Sequence, residues 1–116
     1  MTPTFTIDPP SAPGYRDVAP STVARAREHV RIVDVRESHE FYGELGHIPG
    51  AELVPLGQLL GAAHHWAKDH ELVLVCRSGA RSSNAAHALH RLGFTRVMNM
   101  VGGMAAWGAA GLPVER

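Results

Sequence analysis

Residues 72–76, LVLVC, are apolar at every position, which predicts a short strand covered on both faces and central in its sheet. RIVDVR at 31–36 repeats the pattern in β-branched form, AELVPL at 51–56 predicts another short strand ended by Pro55, and RVMNM at 96–100 a last one. Between these runs the spacing changes. APSTVARAREHV predicts a helix with Ser21 as its cap, and ESHEFYG one or two helical turns ending at Gly43. In LGQLLGAAHHWAKDH, the apolar residues Leu56, Leu59, Leu60, Ala63 and Ala67 recur at helical spacing. In SSNAAHALHRLGF, Ala85, Leu89 and Leu92 share a face, and Gly93 with Phe94 behind it has the form of a helix stop. GGMAAWGAAG predicts a short final helix with Trp107 in its packed face. Strands alternating with helices indicate an α/β domain, with a mostly parallel central sheet flanked by helices. Residues 1–14 hold four prolines and little periodicity. They predict an extended N-terminal arm, ahead of a single domain over 15–116.

Composition narrows the function classes. A chain of 116 residues, 45% hydrophobic, can build one ordinary core. The formal net charge is zero and no basic run suggests nucleic acid. The apolar runs are far shorter than a membrane span, and the first residues lack the basic start and apolar core of a signal peptide. The single cysteine cannot form an internal disulfide, which fits a reducing, cytoplasmic setting. The zero net charge conceals an asymmetry. Between Leu72 and Val114 there is no acid, but there are four arginines, at 77, 81, 91 and 96, so this half is biased to receive an anion. Arg91 and Arg96 read as solvated. Eight histidines are present. None has a cysteine or carboxylate companion at metal-ligand spacing, and no metal or other cofactor is expected.

The candidate chemistry sits where the central strand ends. A lone cysteine is ordinarily a small buried hydrophobe. Cys76, however, is followed by RSGARS, at the point where a strand stops and a helix starts. Ligands of open parallel sheets bind beyond the carboxyl ends of the strands. A helix N-terminus offers unpaired backbone N–H groups and partial positive charge, and a turn through Gly79 and Ala80 can curl those groups towards one point. Such a cradle lowers a thiol pKa and makes Cys76 nucleophilic. The candidate site is therefore Cys76 as nucleophile, with Arg77, Ser78, Gly79, Ala80, Arg81 and Ser82 as its binding loop. Arg77 and Arg81 add positive charge suited to a sulfonate or phosphate. On the neighbouring strand end, Asp34 and Arg36 read either as support for this loop or as a simple ion pair at the sheet edge.

CRSGAR resembles the active-site loop of the rhodanese family of sulfurtransferases. IVDVRESHEF is similar to that family's Asp-x-Arg strand end and short acidic–aromatic helix, GHIPGA at 46–51 to its signature turn, and VGGMAAWGAAGLPV to its closing segment. The four motifs occur in the family's order across residues 31–114. One departure is local: four residues, Tyr42 to Leu45, separate Phe41 from GHI where the family commonly has two, which predicts a longer loop. The resemblance implies a three-layer rhodanese-like domain and a double displacement. The Cys76 thiolate would take the outer sulfur of a donor such as thiosulfate, releasing sulfite, and pass it to cyanide, glutathione or a protein thiol. The backbone N–H groups of residues 77–82 would hold the transferred sulfur, Arg77 and Arg81 would bind the donor's oxygens, and His47 would steady the GHIPGA turn. Two rival readings have discriminating features. Cysteine phosphatases and arsenate reductases need five residues between cysteine and arginine, and here four separate Cys76 from Arg81. A non-enzymatic binding module would not need the cysteine at all.

Overall fold

The computed structural model describes residues 14–116. Of the arm expected over residues 1–14, all but Gly14 lie outside the described residues. The strands are β1 (Arg16–Val18), β2 (Arg31–Asp34), β3 (Glu52–Leu53), β4 (Leu72–Val75) and β5 (Val97–Met100). The helices are α1 (Pro20–Ala26), α2 (Ser38–Phe41), α3 (Leu59–Ala63), α4 (Ala80–Arg91) and α5 (Gly103–Ala109). All strand pairs are parallel, in the order β1-β5-β4-β2-β3, so the fully apolar β4 is the middle strand.

Parallel strands need crossovers, and the helices provide them on both faces. On one face Leu59 and Ala63 of α3 and Ala85, Ala86 and Leu89 of α4 pack over Val33, Leu72 and Leu74. On the other, Val23 of α1 and Met104 and Trp107 of α5 cover Ile32, Val73, Val75 and Met98. The result is the three-layer α/β arrangement expected. Trp107 is fully buried, as its helical position predicts, and its indole Nε1–H donates to the Pro113 carbonyl at 2.9 Å.

Several local expectations shift. Ser21 does not cap α1: Ala19 is the cap residue, without a side-chain bond, and Pro20 takes the first helical turn. Proline's fixed φ and missing N–H suit that position, so the helix starts two residues early. The AELVPL strand shrinks to Glu52–Leu53 beside β2, with Val54 and Leu56 N–H groups bonding on to Asp34 and Val35 carbonyls. The helix expected from Leu56 is a 3-10 turn over Leu56–Gln58 followed by the short α3, and Leu56 and Leu60 are exposed. Leu92 lies past the end of α4 and is exposed, while Phe94 is buried in its stead. Gly93 adopts φ +101°, and the Gly93 and Phe94 N–H groups return to His90 and Leu89 carbonyls, the paired bonds of a Schellman stop. β1 has no counterpart in the sequence reading. Only Val18 of its three residues is buried, so periodicity carries no signal there, and the backbone ladder to β5 defines it.

This connectivity positions the site. From the end of β4 the chain moves to β5 on one side, and from the end of β2 to β3 on the other. The carboxyl ends of β4 and β2 therefore flank the crevice that open parallel sheets use for ligands.

Candidate active site

Cys76 directly follows β4 and is 1% exposed. Gly79 adopts φ +107°, a left-handed conformation that turns the chain sharply into α4. That turn aims the Gly79 N–H at Cys76 Sγ, 3.1 Å away, with the Ser82 hydroxyl at 3.3 Å. Burial pushes the thiol pKa up. The Ser82 hydroxyl and the backbone N–H groups of Ser82, Gly79 and Ser78 outweigh it and bring the pKa below the ordinary thiol value. Four donors converging on one buried sulfur form an anion cradle built for a thiolate.

The loop is held from behind by the second glycine of the VGGM segment. Gly103 has φ +57°, and a β-carbon there would overlap the Cys76 carbonyl and lie 2.6 Å from that of Arg77. The close approach lets Met104 N–H donate to the Cys76 carbonyl at 2.8 Å and Ala105 N–H to the Arg77 carbonyl at 3.0 Å. The carbonyls are thus occupied by α5 while the N–H groups remain turned to the sulfur. Ser82 is itself engaged. Its Oγ lies 2.6 Å from Asn99 Oδ1 on β5, and Asn99 Nδ2 donates to the Asp17 carboxylate at 3.1 Å. Ser82 has one hydroxyl proton for Asn99 and Sγ to share.

Asp34 and Arg36 form a fully buried pair at the end of β2, which is an inner strand, not a sheet edge. Arg36 Nη2 meets Asp34 Oδ2 at 2.8 Å and also donates to the Gly46 carbonyl at 2.8 Å, and Nη1 donates to the Glu40 carbonyl at 3.2 Å. One guanidinium thereby ties β2 to α2 and to the turn before β3. His47 steadies the same turn. Its ring stacks on Phe41 at 3.6 Å between centroids, and Nδ1 is 2.8 Å from the Phe41 carbonyl.

The two loop arginines part company. Arg77 is exposed and helps line a pocket of about 320 Å³, whose walls include Arg36, His39, Glu40, Glu44 and Leu45. The longer loop after Phe41 thus supplies part of this wall. Arg81 is turned to Glu40 of α2, with both amino groups on the carboxylate at 2.7 and 2.8 Å. The Arg81 hydrogen bond holds the Glu40 pKa down at about 2. The stabilisation from that pair is full above the ordinary carboxylate range and is lost as pH falls through about 2. Ala80 is exposed at the first position of α4. Glu40, Asn99 and Gly103 escaped the sequence reading as site residues. Of the three, Glu40 and Gly103 carried a signal, Glu40 as the acidic member of the acidic–aromatic helix and Gly103 as half of a Gly-Gly pair ahead of a helix.

Among the described residues, no group of three or more His, Cys, Asp or Glu side chains is placed to hold a metal ion. No helix among them is long and apolar enough to cross a membrane.

Comparison with known proteins gives one matching family model, together with relatives and structures. The family model described as Rhodanese-like domain matches residues 20–110. A sulfurtransferase of Allochromatium vinosum is 39% identical over 87 residues, covering 75% of this chain and 79% of that protein. The thiosulfate sulfurtransferase GlpE of Pseudoalteromonas translucida is 34% identical over 84 residues, covering 72% and 78%. A crystal structure of a rhodanese-like domain protein from Staphylococcus aureus superposes with a TM-score of 0.74 at 29% identity, covering 87% of this chain and 99% of that one. Other relatives, from Bacillus subtilis and Synechocystis, are about 40% identical but longer, and the chain spans 42% to 60% of their length.

Proposed function

The chain belongs to the rhodanese-like domain family, and on that premise we propose that it is a sulfurtransferase whose Cys76 carries sulfur as a persulfide. One observation carries the reading: the Cys76 sulfur receives the Gly79 N–H and the Ser82 hydroxyl, with the N–H groups of Ser78 and Ser82 turned to it as well. A structural cysteine needs none of these donors, and a nucleophilic thiolate needs them all.

In the first step the Cys76 thiolate attacks the outer sulfur of a sulfane donor such as thiosulfate. The bond from that sulfur to the sulfonyl sulfur breaks, sulfite leaves with the bonding electrons, and Cys76 holds a persulfide anion. In the second step the acceptor attacks the terminal sulfur. Cyanide leaves as thiocyanate, a thiolate leaves as its persulfide, and Cys76 returns as thiolate. Charge and atoms balance in both steps, and no general base is required. The loop N–H groups that stabilise the thiolate are suited to the persulfide anion that replaces it. Asp34 and Arg36 act as support, fixing α2 and the turn before β3 against the loop. Arg77, on the wall of the adjoining pocket, is suited to attract an anionic donor.

These 116 residues contain one cysteine, so within them no second thiol can take the sulfur, and the acceptor is cyanide, glutathione or a protein thiol. An unpaired nucleophilic thiol also supports a reducing, cytoplasmic setting. Steady-state thiocyanate formation with donor and cyanide varied together tests the scheme. A covalent sulfur intermediate gives parallel double-reciprocal lines. Intersecting lines would show that both substrates must be bound at once, and would contradict it.

A further inference from the structure

Arg77 and Arg81 both flank the nucleophile, yet their charges differ in availability. Glu40 takes both amino groups of Arg81 in a fork-to-fork pair. Among the charged groups on the pocket wall, Arg36 is matched by Asp34 and Glu40 by Arg81, leaving Arg77 and Glu44, of opposite sign. Arg116 is anchored on the Glu44 backbone carbonyl. The loop's formal positive charge is therefore largely cancelled at its mouth, and the cancelling group is Glu40, contributed by a different element.

We propose that Glu40 determines donor selectivity: by occupying Arg81 it turns the site away from dianionic donors such as thiosulfate and towards sulfane-sulfur donors carrying at most one negative charge at the reacting end. The inference rests on the sulfur-transfer reading above. Coulomb energy scales with the donor's charge, so a cation withheld from the mouth penalises a dianion about twice as much as a monoanion. The position of Glu40 is well fixed for this role. Its Oε1 also accepts the Glu37 N–H at 3.1 Å, closing the capping box of α2.

A matched pair of donors isolates charge. Methanethiosulfonate replaces one oxygen of thiosulfate by a methyl group and carries one negative charge. It reacts by the same balanced step: the outer sulfur bonds to Cys76, and methanesulfinate leaves with the electrons of the broken sulfur–sulfur bond. The readout is the ratio of kcat/KM for thiosulfate to that for methanethiosulfonate, measured at low ionic strength. Glu40→Gln keeps an acceptor for the Glu37 N–H and releases Arg81. The ratio is expected to rise about tenfold, and the rise to shrink as added salt screens the guanidinium. The double variant Glu40→Gln/Arg81→Gln removes both charges and leaves the net charge of the site unchanged. Its ratio is expected to stay within about threefold of wild type, because the neutralised pair contributes little to either donor. A ratio that is unchanged or lower in Glu40→Gln would show that Glu40 does not set the selectivity, and one about tenfold lower in the double variant would make Arg81 the dianion's ligand; either result overturns the proposal. If Glu40→Gln does not fold, Glu40→Ala, which also releases Arg81, is measured in its place with the same expected rise. Sulfur loading of wild-type Cys76 by both donors, with the wrong ratios, would refute the selectivity only. Loading by neither would refute the sulfur-transfer reading, and this proposal with it.

Discussion

The ends of β2 and β4 lie side by side on one sheet and use the same materials, a strand terminus, an arginine and the start of a helix, to opposite effect. At the end of β2, polar groups consume one another. The Arg36 guanidinium meets the Asp34 carboxylate and two backbone carbonyls, with 1% of its surface exposed. At the end of β4, the donors converge on a single sulfur, and those that hydrogen-bond to it are neutral. A saturated cluster is rigid and inert, whereas a sulfur held by neutral N–H and O–H donors stays reactive. The comparison separates support from chemistry, and substitutions at the two ends should separate activity from stability.

The largest effect is expected from Cys76→Ser, which should lower sulfur transfer on the order of 10⁴-fold or more while changing unfolding free energy by about 1 kcal/mol or less. Transfer assays and urea unfolding on the same preparation check both halves. Arg36→Met should show the reverse balance. It strands the Asp34 carboxylate in the interior and should cost about 3–5 kcal/mol in urea unfolding, part of which Asp34→Asn in the same chain restores. A loss confined to activity would erase the distinction between the two strand ends. Gly103→Ala should fall between, costing about 1–3 kcal/mol from its left-handed φ and the crowding against the loop carbonyls. Because that strain bears on the nucleophile's own loop, transfer should fall in the variant even well below its unfolding midpoint.

Ser82→Ala should act most gently on activity, with a stability cost of about 1–3 kcal/mol from the buried Asn99 Oδ1 left without its donor. It removes a hydroxyl donor from the thiolate, so the Cys76 pKa rises and alkylation at neutral pH slows about tenfold, the worth of one charge-assisted hydrogen bond. The alkylation rate climbs with pH as thiolate forms, and that climb should move to higher pH in the variant. Asn99→Leu should move it the other way. With Asn99 Oδ1 gone, the single Ser82 proton is free for the sulfur. An unshifted profile in both variants would remove Ser82 from the cradle.

What was legible in the sequence follows from how local each feature is. The cradle is built from consecutive residues, Cys76 to Ser82, so its turn, its glycine and its helix start could all be read in order. The apolar runs of β2, β4 and β5 and the Gly93–Phe94 stop are local in the same sense. Arg81 illustrates the limit. Its partner Glu40 is 41 positions away, on a helix whose placement depends on the whole sheet, and no pattern around Arg81 reveals that its charge is taken. Asn99 sits in a strand pattern where only register brings it under Ser82. β1 is held by backbone bonds to β5, which side-chain periodicity does not report.

The central claim is that Cys76 carries sulfur covalently, and the intact mass of the protein tests it most directly. After brief exposure to thiosulfate or methanethiosulfonate, wild-type protein should gain the mass of one sulfur atom, lose it again on adding cyanide, and show neither change when Cys76 is replaced by Ser. No gain from either donor, or a gain that persists in Cys76→Ser, would contradict the account.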